Sequence, residues 1–186
     1  MLKYYFIAVG LFISNVSMVY SAHKLTQSKN LQTITQEHNF KVVGETTFSI
    51  LFWDLYNSKL LTTSGKYPIK IENEKLIYEI NYLTDISSDD LIERTVEQWQ
   101  YQGVTTENYQ AYLPLLKRIW PDINEGDTLT LFVHQGSSIF YFNQQYIGTI
   151  DETEFTQIFL DIWLAENTSE PKLRKELLME NNNAKN

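Results

Sequence analysis

The sequence predicts an α+β domain built on antiparallel sheet, and three features carry that expectation. Val43 to Leu61 (VGETTFSILFWDLYNSKLL) stays apolar on both sides of a period-two pattern. Phe48, Ile50, Phe52 and Tyr56 fall to one side, and Leu51, Trp53 and Leu55 to the other. Three short alternating runs joined by tight turns follow between Thr128 and Ile150, the pattern of an antiparallel meander. Around these lie stretches with apolar residues at helical spacing. A strand apolar on both faces must be covered twice, so helices are expected against one face and more sheet or a ligand pocket against the other.

Taken in order, His23 to Asn39 is polar and reads as an exposed leader into a short edge strand near Leu31 to Gln36. Phe40 opens the long central strand, with Gly44 marking a bulge or a close backbone approach. Thr62 to Pro68 is loop by composition, and Ile69 to Ile71 is expected as a short strand. Lys75 to Leu83 alternates, with Leu76, Tyr78, Ile80 and Tyr82 on one face. Ser87-Ser88-Asp89-Asp90 then supplies a serine cap and first-turn acids for a helix to about Gln102, stopped by Gly103. Its core stripe is Leu91, Ile92, Thr95, Val96 and Trp99, bordered by Arg94, Gln98 and Tyr101. A second helix carries Tyr109, Tyr112, Leu113, Leu116 and Trp120, and Pro114 should divide it. After the meander, Asp151 to Leu164 is helical by the spacing of Phe155, Ile158, Phe159, Ile162 and Trp163, and Thr168 to Pro171 opens a last helix. Asn181 to Asn186 is read as a disordered tail.

At 186 residues the chain holds one domain. Lys3 followed by an uncharged run from Tyr4 to Tyr20 and the small residues Ser21 and Ala22 is the pattern of a signal peptide over residues 1–21. An uncleaved anchor is the competing reading, since the run reaches the lower bound for spanning a bilayer. With no cysteine there is no disulfide, thiol nucleophile, thiolate metal site or lipidated cysteine. The net charge of −8 becomes −9 once Lys3, the one charged residue of that segment, is removed. An acidic chain repels phosphate backbones, so nucleic acid is not expected as a partner.

Candidate chemistry is sparse. His23, His38 and His134 are far apart and form no helical ligand pair, so no metal and no cofactor is expected. His134 to Ser138 (HQGSS) sets histidine beside serine but lacks the strand-to-helix elbow of a serine hydrolase, and turn chemistry explains it. Asp89, Asp90, Asp151 and Glu152 sit where helix starts favour acids. Asp54 interrupts an apolar strand and reads as a satisfied structural acid before it reads as a general base. Arg94 admits two readings: a bidentate carboxylate clamp at a cleft wall, or a surface ion pair with Asp90 one turn earlier. Asn167-Thr168-Ser169 is a helix cap before it is a glycosylation sequon.

The ordered motifs VGETTFSILFWDLYNSKLL, YLTDISSDDLIERTVEQWQYQG, WPDINEGDTLTLF, FYFNQQYIGTID and IWLAENTSEPKLRKELL together resemble the bacterial chalcone isomerase-like family of exported proteins, over about Phe40 to Leu178. The resemblance implies a chalcone isomerase-like open-faced sandwich over residues 40–180: a large antiparallel sheet, a layer of helices on one face and a cleft between them. It also implies export, to the periplasm of a Gram-negative bacterium. The plant enzymes close a flavanone ring with an arginine, a threonine, a tyrosine and an asparagine. Matched onto this chain, the tyrosine position falls at Ser87 and the asparagine position at Arg94. The threonine position falls on an apolar residue near Leu51, and the arginine has no counterpart between Leu31 and Gly44. Ring closure is therefore not expected. Non-catalytic relatives hold a fatty-acid carboxylate in the same cleft with an arginine and a tyrosine, which makes Arg94 the expected head-group residue. Trp53, Tyr56 and Trp99 are the expected walls. Tyr101, Tyr109 and Tyr112 stay open as the tyrosine partner. The expected function is binding of a small amphipathic carboxylate such as a fatty acid, with the membrane touched only through the N-terminal segment. The alternatives are an isomerase or intramolecular lyase using Arg94 with Asp54 or Tyr101, and a partner-binding module whose cleft is filled.

Overall fold

The computed structural model describes residues 30–70 and 73–179. The expected signal segment 1–21, most of the polar leader and the tail 181–186 lie outside the described residues, as does Ile71 of the expected short strand. A six-stranded antiparallel sheet in sequential order organises the rest: β1 (Lys41–Ile50), β2 (Trp53–Thr62), β3 (Leu76–Tyr82), β4 (Thr128–His134), β5 (Ser137–Phe142) and β6 (Gln145–Ile150). Six helices accompany it: α1 (Leu31–Glu37), α2 (Ser88–Tyr101), α3 (Thr106–Tyr109), α4 (Leu113–Ile119), α5 (Thr153–Leu164) and α6 (Pro171–Leu177).

The expected open-faced sandwich is what the chain forms. The face carrying Leu60, Tyr78, Leu131 and Phe140 buries the apolar sides of α2 to α6 in one core, including Trp99, Leu116, Phe155, Phe159 and Leu177. On the opposite face Ile77, Phe132, Ile139 and Tyr141 form a smaller core with Leu31 and Ile34 of α1, with Phe40 and Leu61 beside them. Double coverage therefore falls on β4 and β5, whose interiors are buried throughout.

Two local expectations are corrected. The expected single strand from Phe40 to Leu61 is a hairpin: Ile50 pairs with Trp53 across the two-residue turn Leu51-Phe52. Its tip is not covered twice but stands in solvent, because the turn sits beyond the last residue that β3 and the helices reach. The edge strand expected near Leu31 to Gln36 is α1, and its cause is local. The Asn30 side chain accepts a hydrogen bond from the Gln32 amide (2.8 Å), and Leu31 and Ile34 share one helical face against the sheet. Ile69 and Lys70 also lie outside any strand.

Elsewhere local chemistry set the elements as expected. Ser87 caps α2 by accepting from the Asp90 amide (3.1 Å), and Gly103 follows it at φ 80°. Pro114 opens α4, leaving α3 as a separate turn. The meander turns at Gln135-Gly136 and Asn143-Gln144, all four with positive φ, matching the twist of the strands they join.

Candidate functional site

A cavity of about 590 Å³ lies between the sheet and the helices α2 and α5. Its floor is made by buried side chains, among them Ile80, Trp120, Leu129, Phe159 and Ile162. The exposed members of its lining are Ile50, Thr84, Asp85, Arg94 and Glu97, so it opens where the β1–β2 hairpin turns and β3 leaves the sheet. Trp99 of α2 packs edge-on against Phe155 of α5, and Leu91, Thr95, Phe159 and Ile162 of the same two helices border the space.

A β-bulge shapes the near wall. Phe48 pairs with Tyr56 but Ser49 pairs with Asp54, leaving Leu55 as an extra residue on β2. Consecutive residues of a regular strand point to opposite faces, yet Leu55 and Tyr56 both line the cavity. The Tyr56 hydroxyl accepts a hydrogen bond from the Trp163 indole (3.0 Å) and retains its own proton to donate. Burial pushes the Tyr56 phenol well above its ordinary range, and burial does the same to Tyr82 beside it. Both stay neutral at any physiological pH, as hydrogen-bond donors rather than bases. Tyr56→Phe should cost about 1–3 kcal/mol by stranding the Trp163 donor, read as a lower urea midpoint. Trp120 also lines the cavity, and its buried indole Nε1 has no hydrogen-bond partner among the described residues.

Arg94 is at the rim, with its side chain 68% exposed. Its guanidinium donates to Glu97 (2.7 Å), not to Asp90 one turn earlier, and that carboxylate holds its pKa above the usual arginine value. Asp85, Glu97 and Glu170 also line the cavity, so the polar rim carries three acids to one base. Gln98 accepts from the Ser169 hydroxyl (2.6 Å) and ties α2 to the α5–α6 connection at the same rim.

Of the other expected wall residues, only Tyr56 lines this cavity. Trp53 stands at the hairpin tip, 75% exposed, and Tyr101 is also mostly in solvent. Trp99 is core: fully buried, donating to the Ile158 carbonyl (2.9 Å) and stacked on Tyr109. Tyr109 bonds Gln100 and Thr106, and Tyr112 packs edge-on against Phe155. Asp54 is exposed, accepts from the Ser49 hydroxyl (2.6 Å) and is not in the lining, so neither Asp54 nor Tyr101 joins Arg94 at the cavity as the proton-handling group of the alternative reading. The turn serines are similarly committed: Ser137 donates to Asp151, and Ser138 bonds Thr156 (2.8 Å). His134 is stacked on Phe132. Among the described residues no group of three His, Asp or Glu side chains could hold a metal ion. The residues that sequence reasoning missed, Phe159, Ile162 and Trp163, were visible as the apolar stripe of α5 but carried no sign that a void lay beside them.

Comparison with known proteins agrees with this architecture. The crystal structure of a fatty-acid binding protein of Arabidopsis thaliana superposes with a TM-score of 0.53 and 12% identity, over 76% of this chain and 85% of that one, a likeness of fold. An uncharacterised protein of Haemophilus influenzae is 22% identical over 141 residues, 75% of this chain and 68% of its own length. A sequence profile described as chalcone isomerase-like matches residues 24–179. With that match spanning most of its length, the chain belongs to the chalcone isomerase-like family.

Proposed function

We propose that the protein is a non-catalytic binder of a single-chain amphiphile, a fatty acid or similar carboxylate, whose tail occupies the cavity and whose head group stays at the rim. The observation that carries this reading is a cavity of about 590 Å³ whose floor is mainly apolar and whose charged side chains gather at its rim. That volume falls within the range of about 300–1,000 Å³ usual for small-molecule sites. Each methylene taken from water contributes about 0.8 kcal/mol, so the tail supplies most of the affinity. The fatty-acid binding protein that shares the fold supports the same ligand class. Export is part of the proposal, supported by Lys3 and the uncharged run from Tyr4 to Tyr20.

Arg94 has a secondary part in this reading. Three rim acids disfavour a carboxylate, and the one cation of the lining offsets them when it turns from Glu97 to the ligand. An exposed pair of this kind is worth about 0.2–1 kcal/mol, so Arg94→Ala should weaken palmitate binding by no more than about fivefold. Leu55→Trp fills the mouth and should weaken it by about tenfold or more at unchanged melting temperature. Calorimetric titration with palmitate, after native mass spectrometry for co-purifying lipid, decides it. Palmitate that fails to bind, or binds equally to Leu55→Trp, would sink the reading.

A further inference from the structure

Ile50, Leu51, Phe52 and Trp53 are 51%, 84%, 97% and 75% exposed, four consecutive large apolar side chains at the β1–β2 turn. Half of the exposed large hydrophobic residues among those described are gathered at this one tip. Leu51 sits at φ 57°, a left-handed conformation that glycine or asparagine would take at less steric cost. The turn thus presents a bulky apolar side chain where backbone geometry alone would favour a small or polar one. Between Phe48 and Asn57 there is no lysine or arginine, and the one charge, Asp54, is set back on β2 against Ser49.

Three further features converge on the same end of the sheet. The cavity opens there, and Ile50 belongs both to the tip and to the cavity lining. The described chain also begins there: the Leu31 amide bonds the carbonyl of Gln144, in the β5–β6 turn, and that turn lies at the hairpin's end of the antiparallel sheet. Asn30, the first described residue, therefore lies at the end of the sheet from which the tip projects.

We propose that the β1–β2 turn is a membrane-docking tip. Leu51, Phe52 and Trp53 enter the boundary between head groups and acyl chains of a zwitterionic bilayer and set the cavity mouth against it. Tryptophan favours that boundary, and a row of apolar side chains flanked by a set-back acid matches its depth profile. The net charge of −8 opposes attraction to anionic lipid, so the tip binds by apolar insertion and not by charge. The inference extends the amphiphile-binding reading, since a ligand held at this mouth could pass directly from the membrane, but docking does not require it.

The test uses the full chain and phosphatidylcholine vesicles with or without bromine on the acyl chains, reading tryptophan emission. Trp99 and Trp120 are buried, Trp163 donates to Tyr56 inside the cavity wall, and residues 1–29 contain no tryptophan, so quenching by brominated lipid reports Trp53. Emission should be quenched and blue-shifted, the quenched component should vanish in Trp53→Phe, and Phe52→Asp should reduce it at least fivefold. Absent quenching, or quenching that survives Trp53→Phe, would overturn the proposal. So would a blue shift that depends on protein concentration without lipid, which would mean that the tip pairs with a second copy. Palmitate titration of the same proteins in solution separates the two readings. Quenching without palmitate binding leaves docking standing and removes the carrier, whereas palmitate binding without quenching does the reverse.

Discussion

Trp99→Ala is expected to destabilise the fold by about 3–5 kcal/mol while leaving the palmitate affinity of the folded protein unchanged. The indole is fully buried where α2 crosses α5. It stacks on Tyr109 at 5.3 Å, meets Phe155 edge-on at 6.3 Å and donates to the Ile158 carbonyl of α5. Removing it opens a void where α2, α3 and α5 meet. The stranded carbonyl adds little, because it retains its helical partner. For a domain of this size the loss amounts to roughly 6–20 °C in Tm. Urea unfolding followed by circular dichroism checks the first half of the expectation, and calorimetry below the transition checks the second. A variant of native stability that lost palmitate would return Trp99 to the cavity wall, where the sequence pattern alone could have put it.

That outcome matters because the sequence speaks clearly about elements and poorly about spaces. The alternation of Leu76 to Tyr82, the Ser87 cap, the division at Pro114 and the three-strand meander each depend on a local rule that tertiary packing did not override. The β1–β2 hairpin was illegible because Leu51-Phe52 carries none of the glycine, asparagine or aspartate that announces a two-residue turn, so two strands read as one. The helix α1 was hidden because one pair of apolar side chains three residues apart, in seven otherwise polar residues, is a helical signal too short to stand out, and only the Asn30 cap adds to it. At the cavity the difficulty is of another kind. Phe159 and Ile162 would look the same in a sequence whether they packed against a neighbour or bordered a void. Arg94 was legible as a border residue, but Glu97 at i+3 and Asp90 at i−4 compete for it, and only coordinates show which carboxylate it takes.

Gly44→Ala is the second large effect, and it tests the link between the edge of the sheet and α6, the last helix among the described residues. A Cβ at position 44 would lie 2.3 Å from the Leu177 carbonyl oxygen and 2.6 Å from that of Glu176. Both obstacles are backbone at the end of α6, so no side-chain rotation relieves the clash. Gly44, paired with Leu60, also sits at a register irregularity between Val42 and Gly44, the bulge or close approach that its sequence context suggested. Either β1 must bend outward or α6 must lift, and lifting α6 removes Leu173 and Leu177 from the core and breaks the hydrogen bond from Thr46 to Glu176. Overpacking of this kind costs about 1–3 kcal/mol, and the upper end applies where neither neighbour can yield. Amide exchange distinguishes the two responses. Faster exchange confined to residues 171–178 means that the helix detaches and the sheet holds, whereas faster exchange along β1 and β2 means that the hairpin, and with it the near wall of the cavity, is what gives way. In the second case palmitate affinity should fall with stability, because Phe48, Leu55 and Tyr56 all belong to that wall.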